Sequence, residues 1–235
     1  MVKHDYQDAV KAGIPIFIGY FPAAVAFGIL SQTTGISLLE SFLFSAVVFA
    51  GASQFIALNL LVTGMGPVGI IFTTLLVNFR HFLMSAYLST RIDEKVKKFY
   101  FLLAFGVTDE VFSVLSFKKG PLSRGFVLAL QMSAYSGWVS GTLCGYLMGG
   151  FIPPILSQSM GVALYALLLA ILMPEIKASN FSLFLALSSG LLNWLLIHLD
   201  FLPKGWSIIV CILVVASAGA FCTLNKAQKE KVHGI

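Results

Sequence analysis

The chain of 235 residues is 58% hydrophobic and only 11% charged, with a formal net charge of +5. Soluble domains are about 45–50% apolar and about 25% charged, so this composition excludes an ordinary soluble protein and predicts a chain embedded in lipid. Most of the basic residues lie in short segments between or beyond apolar runs, as in the cytoplasmic loops of membrane proteins. They form no basic stripe with interleaved aromatic residues, so nucleic-acid binding is not expected.

Eight apolar runs follow one another, each close to the about 20 residues that a helix needs to cross a bilayer. They lie near Val10–Leu30, Leu38–Thr63, Pro67–Thr90, Phe99–Phe117, Phe126–Gly150, Ile155–Met173, Phe181–Leu199 and Trp206–Leu224. The first is interpreted as a membrane helix rather than a signal peptide, because prolines interrupt it and further runs follow. Short connections predict one polytopic membrane domain, residues 1–235: an all-α integral membrane protein with seven or eight crossing helices, one or two of the runs being re-entrant or broken.

The topology of the fourth run leaves two arrangements open. Basic segments at Arg91–Lys98 and Lys118–Arg124 lie on either side of it, and two basic loops do not fit a single full crossing. If the second and fourth runs enter the membrane and return, every basic loop becomes cytoplasmic. Because the charge bias is statistical, eight full crossings are preferred, with the re-entrant arrangement as the alternative. Both place the two termini in the cytoplasm.

Glycine recurs every four residues along the fifth run, which puts four glycines on one helical face. They are Gly137, Gly141, Gly145 and Gly149. Close helix packing is the favoured explanation, because small residues let helix backbones approach each other in lipid. A glycine-rich break that lines a cavity is the alternative.

The third run carries polar residues near its middle. Thr74, Asn78, His81 and Ser85 follow helical spacing and predict one polar stripe, while Arg80 projects about 100° away from His81. A charge at this depth costs at least about 2.5–3.5 kcal/mol, so Arg80 requires a partner.

The fourth run offers that partner at the same depth. Thr108, Asp109 and Glu110 lie at its centre, and Arg80 is predicted to pair with Asp109 or Glu110. A structural ion pair would explain two such charges, but several ionisable groups at one depth favour a transport pathway.

The second run contains Gly51-Ala52-Ser53-Gln54-Phe55. Gln54 either hydrogen-bonds between helices or belongs to a locally unwound helix whose amide faces a solute, and the two interpretations are equally supported. Trp138 and Asn193 are weaker candidates for the same cavity. Tyr20 is assigned to the membrane interface, where aromatic residues accumulate.

These groups would suit a zwitterionic amino acid, although they do not select one. Arg80 or the N-terminus of a broken helix could hold a carboxylate, and Asp109 or Glu110 could hold an ammonium group. His81 and the two carboxylates could also exchange protons.

Three motifs resemble the AzlC/YgaZ family, the large subunits of bacterial branched-chain amino-acid exporters. They are Gly-Ala-Ser-Gln-Phe at 51–55, Asn-x-Arg-His at 78–81 and Phe-Gly-x-Thr-Asp-Glu-x-Phe at 105–112. The resemblance implies a multi-pass permease of the bacterial inner membrane that exports leucine, isoleucine, valine or analogues with a small hydrophobic AzlD-type subunit. The matching positions are Ser53, Gln54, Asn78, Arg80, His81, Thr108, Asp109 and Glu110, and their individual roles are our inference.

Two other classes of function remain alternatives: an intramembrane hydrolase and a passive channel for a small polar solute. Ser53 with His81 could form a hydrolytic dyad, but the chain has neither a His-Glu-x-x-His motif nor a Gly-x-Ser-x-Gly nucleophile setting. The cysteines at positions 144, 211 and 222 lie in apolar runs without metal-ligand spacing. Neither enzymatic activity nor a metal or cofactor is therefore expected.

Overall fold

The computed structural model describes residues 2–92, 100–120, 122–151, 179–199 and 206–233, with positions 169, 172–173, 176–177 and 202. The helices of these residues, in chain order, are α1 (Val2–Thr33), α2 (Leu38–Leu43), α3 (Gly51–Val62), α4 (Pro67–Ser89), α5 (Tyr100–Phe105), α6 (Asp109–Phe117), α7 (Arg124–Gly149), α8 (Asn180–His198) and α9 (Trp206–His233). A π-helix, Phe44–Val48, continues α2. The predicted all-α membrane protein is confirmed. The sixth apolar run lies largely outside the described residues.

Within the described ranges, four helices are long and apolar enough to cross a membrane. They are Tyr6–Thr33 of α1, all of α4, all of α8, and Trp206–Thr223 of α9. Helix α7 has 26 residues, a length of about 39 Å, but it is not one of these four, and many of its residues are small or polar. The second and fourth apolar runs are each divided into shorter helices. They correspond to the one or two broken runs that the sequence predicted.

The chain divides into two compact units, residues 1–58 with 77–167, and residues 59–76 with 168–235. In the second unit α8 packs on α9, where a Cβ added to Gly219 would lie 3.0 Å from the Leu185 side chain. That unit also contains Thr74 and Asn193. All eight predicted site residues belong to the first unit. A single domain over residues 1–235 stays a prediction.

The first unit is built around helices α1 and α7. They are parallel, because the residue numbers at their contacts increase in the same direction along both helices. Gly13 lies against Ser133, and Gly141 lies against Phe21. A Cβ added to Gly141 would be 2.6 Å from the Phe21 carbonyl oxygen, so a larger residue would force the helices apart. The preferred explanation of the glycine stripe, close helix packing, is therefore confirmed.

A sharp break interrupts the second run at Phe49 and Ala50. Phe49 has φ 44° and ψ 47°, a left-handed conformation that bulky residues rarely adopt. Helix α3 begins directly afterwards at Gly51, where a Cβ would lie 2.6 Å from the Trp138 ring. The unwound residues therefore precede the Gly51–Phe55 motif, and Gln54 lies within the first turn of α3.

The chain reverses direction at this break. The Gln54 amide nitrogen donates to the Ser45 hydroxyl at 3.1 Å. The rings of Phe44 and Phe55 both pack on Phe27, with centroid distances of 6.2 and 5.4 Å. Contacts that pair 45 with 54 and 44 with 55 define a helical hairpin. We call α2, the π-helix and α3 the first hairpin.

Helices α5 and α6 form a second hairpin whose two ends lie beside the end of α4. At its start, the Tyr100 hydroxyl donates to the Ser89 carbonyl at 3.4 Å. At its end, the Leu122 amide donates to the Arg91 carbonyl at 3.4 Å. The Arg91 guanidinium also donates to the last carbonyls of α6 and the turn after it, those of Leu115, Ser116, Lys118 and Gly120.

A segment with both ends beside residues 89–92 does not cross the membrane. The preference for eight full crossings is therefore wrong for the fourth run, and the re-entrant alternative describes it. The basic segments beside this run favoured the re-entrant arrangement, but a statistical charge bias alone could not decide between the two.

The tips of the two hairpins meet beside the middle of α7. The rings of Phe49 and Phe105 lie 6.0 Å apart, and each also contacts Tyr135, at 5.1 and 6.0 Å. Because α3 and α6 begin at these tips, two helix N-termini lie in the interior of the unit. Broken backbone is tolerated at such depth where protein covers it.

Candidate functional site

The acidic residues belong to the first turn of α6. The Thr108 hydroxyl caps this helix by accepting from the Val111 amide at 3.4 Å. Gly106 and Val107 precede the cap without helical structure, so Asp109 and Glu110 begin a helix. The sequence prediction that they occupy the middle of a continuous helix is wrong in this respect. Negative side chains are favoured at a helix N-terminus by the helix dipole.

Arg80 of α4 pairs with one of these carboxylates. Its Nη1 atom lies 3.0 Å from Oδ2 of Asp109, and the side chains are 35% and 32% exposed. The predicted pairing of Arg80 is therefore present and involves Asp109. The Nε atom of Arg80 is buried and has no hydrogen-bond partner among the described residues. The guanidinium of Arg80 therefore has N–H donors that do not bond to Asp109.

Glu110 contacts a different helix. Its Oε2 atom accepts a hydrogen bond from the Tyr20 hydroxyl of α1. The Tyr20 ring packs edge-on against Trp138 at 5.6 Å. The assignment of Tyr20 to the membrane interface is therefore wrong, because its hydroxyl reaches the acidic turn of α6. Tyr20 lies in the first apolar run, which prolines interrupt, and nothing in the sequence of that run indicated this contact.

Asn78 connects α4 to the start of α3. Its Nδ2 atom donates to the Ser53 hydroxyl at 3.0 Å, and that hydroxyl donates to the Ala50 carbonyl at 2.9 Å. Ser53 is only 1% exposed. The Oδ1 atom of Asn78 is buried without a partner in the described part of the chain. Ser53 and Asn78 therefore stabilise the broken tip of the first hairpin.

His81 occupies the helix face between these two contacts. On an α-helix Arg80 and Asn78 project about 160° apart, and His81 lies between them. Since Arg80 reaches the second hairpin and Asn78 the first, His81 faces the region between the hairpins. Its side chain is partly buried.

Gln54 is part of a buried hydrogen-bond network. Its Oε1 atom accepts from the Trp138 indole at 2.9 Å, and its Nε2 atom donates to Ser45. The Ser45 hydroxyl in turn lies 2.7 Å from the Thr142 hydroxyl. Gln54 has no exposed surface, and Trp138 is 3% exposed. The geometry favours interhelical hydrogen bonding for Gln54 and packing for Trp138.

Sequence reasoning missed several polar residues of this interior. Ser45 and Thr142 are small hydroxyl residues of a kind that membrane helices commonly contain. Nothing in the sequence therefore distinguished them from other such residues. Gln131 had a signal, an amide within the fifth apolar run, and it donates to the Leu103 carbonyl at the end of α5, at 2.6 Å. It satisfies a backbone group that the helix break releases.

The first unit thus combines a guanidinium, two carboxylates and an imidazole near the meeting point of the two hairpin tips. This fold and this set of partly buried ionisable groups define a multi-pass, all-α membrane protein with a polar interior. Such groups inside a membrane usually mark the path of a solute or an ion.

The chain belongs to the AzlC protein family, whose match covers residues 15–152. It is 36% identical over 180 residues to an uncharacterized membrane protein of Archaeoglobus fulgidus, covering 74% of this chain and 78% of the relative. It is 33% identical over 180 residues to the inner membrane protein YgaZ of Escherichia coli, covering 73% and 74%. It is 29% identical over 150 residues to the branched-chain amino acid transport protein AzlC of Bacillus subtilis, covering 63% and 59%. No solved structure matches the chain. The family resemblance found in the sequence motifs is therefore confirmed.

Proposed function

We propose that this protein is a permease that exports branched-chain amino acids: leucine, isoleucine, valine or close analogues. The observation that carries the proposal is the Arg80–Asp109 pair beside Glu110, near the point where the tips of the two hairpins meet. The name of the Bacillus subtilis relative, a branched-chain amino acid transport protein, supports the same substrate class.

The charges match the two ends of a zwitterion. Arg80 binds Asp109 through one nitrogen, so its other N–H groups can donate to a substrate carboxylate. A carboxylate in the first turn of α6 can accept from the substrate ammonium group. An aliphatic side chain would then lie among the apolar residues around the hairpin tips.

Proton coupling is part of the proposal. His81, Asp109 and Glu110 are the titratable groups of this region, and imidazole changes its charge close to neutral pH in water. Exchange of protons at these groups would link substrate binding to a proton gradient.

We further propose that the protein acts in the bacterial cytoplasmic membrane with a small hydrophobic AzlD-type subunit. Both termini would be cytoplasmic, as the charge pattern of the loops predicts. For the N-terminus, the first unit supports this, because the start of α1 lies on the same side as the end of α4 and the start of α7. The basic residues Lys11 and Lys119 then lie on the side where positive charge accumulates.

The hydrolase alternative has little geometric support. The Ser53 hydroxyl bonds to Ala50 and Asn78 rather than to His81. A nucleophilic serine requires a general base within hydrogen-bond reach.

Counterflow tests the proposal directly. The chain would be reconstituted in liposomes with the small subunit, the vesicles loaded with unlabelled leucine, and uptake of labelled leucine, isoleucine and valine measured. We expect saturable uptake of all three that depends on pH. Flux that does not saturate would indicate a channel, absence of exchange for every branched-chain substrate would refute the proposal, and loss of activity with a serine-directed inhibitor would favour the hydrolase.

A further inference from the structure

The contact between Tyr20 and Glu110 assigns the ammonium end of the substrate to one of the two carboxylates. We propose that Tyr20 is a positioning residue, which holds Glu110 as the acceptor for the ammonium group of the amino acid. This inference rests on the proposed transport function and specifies its binding site.

The two carboxylates of α6 are held towards different helices. Asp109 reaches Arg80 of α4, while Glu110 reaches Tyr20 of α1. Successive residues of a helix project about 100° apart, so the two side chains leave the helix in different directions. Asp109 therefore already has a cationic partner, and Glu110 has a neutral one.

The Tyr20 hydroxyl has a well-defined position. Its helix is fixed against α7 by close backbone contacts such as that of Gly141 with Phe21. Its ring packs at 79° against Trp138, whose indole donates to Gln54 at 2.9 Å. A glutamate side chain has three rotatable bonds, so without this hydroxyl Glu110 could turn towards the Arg80 guanidinium.

The chemistry fits a primary ammonium group. An ionised carboxylate has about four acceptor positions, of which Tyr20 occupies one. An ammonium group has three donors, and the phenolic oxygen of Tyr20 can accept one of them. Arg80 would bind the substrate carboxylate at the same time, which gives each end of the zwitterion its own partner.

Binding of three related compounds to the purified protein, reconstituted with the small subunit, separates the two ends. They are leucine, 4-methylpentanoate, which lacks the ammonium group, and 3-methylbutylamine, which lacks the carboxylate. We expect Tyr20→Phe to weaken leucine and the amine about tenfold, as loss of one hydrogen bond to a charged group implies. Binding of the acid should change less than about twofold.

Tyr87→Phe is the matched control, because its ring also contacts α6, at Phe112. Glu110→Gln keeps an acceptor for Tyr20 but removes the charge, and it should weaken the same two compounds. If Tyr20→Phe weakens all three compounds equally, or leaves the amine unchanged, the assignment of Tyr20 is refuted. If the wild-type protein binds none of the three, the proposed function itself fails, which is a different result.

Discussion

The coupling free energy between Arg80 and Asp109 can be predicted from their geometry. Two unit charges 3.0 Å apart attract by about 1.4 kcal/mol at a dielectric constant of about 80 and by about 5.5 kcal/mol at about 20. Each side chain is about one-third exposed, so solvent screens part of the attraction. We expect a coupling free energy of about 2 kcal/mol.

A double-mutant cycle measures this coupling. The unfolding free energies of the wild type, Arg80→Ala, Asp109→Ala and the double variant would be compared in mixed micelles. Each single variant leaves one charge without its partner, so the double variant should be more stable than the sum of the two losses predicts.

The control cycle combines Asp109→Ala with Lys119→Ala, an exposed charge beyond the far end of α6. Its coupling should be close to zero, because distant sites contribute additively. A coupling below about 0.5 kcal/mol for Arg80 and Asp109 would refute the ion pair as the feature that balances the arginine.

Two further predictions concern the scaffold. Gly141→Ala should lower the unfolding free energy, because an overpacking cost of about 1–3 kcal/mol exceeds the gain of up to about 1 kcal/mol in helix propensity. Gly125→Ala, where an added Cβ meets nothing within 4 Å, should be neutral or stabilising in the same assay, and equal effects of the two changes would contradict the packing. In a cysteine-free background, Lys119→Cys and Ser89→Cys should react with an impermeant maleimide from one side of the membrane and Thr33→Cys from the other. Labelling of Lys119→Cys and Ser89→Cys from opposite sides would contradict the re-entrant second hairpin.

The sequence predicted the membrane class from composition and the charged pair from the position of its charges within apolar runs. A charge such as Arg80 within an apolar run requires a partner, and only the Thr108–Glu110 motif offered one at the same depth. The glycine stripe of α7 was also predicted, since close packing is the favoured explanation for small residues on one face of a membrane helix, and the contacts with α1 confirm it over the cavity-lining alternative.

Other features depend on contacts between distant segments, which the local pattern does not encode. The helix break at Phe49 places a left-handed conformation at a residue type that avoids it, so nothing in the sequence indicated a break at this position. The basic segments on both sides of the fourth run indicated a re-entrant course, but only the contacts of Arg91 and Tyr100 with distant residues decide between the two arrangements. Tyr20 lies 90 positions from Glu110, so only the tertiary structure joins them.

Leucine counterflow by variants of Arg80 tests the central claim, that the charges at the meeting point of the hairpins bind the substrate. Arg80→Ala should abolish counterflow, because the substrate carboxylate loses its cationic partner. Arg80→Lys should retain part of it, because an ammonium keeps the charge but not the fork of donors. Normal transport by both variants, in protein folded as the wild type, would show that Arg80 serves the structure alone.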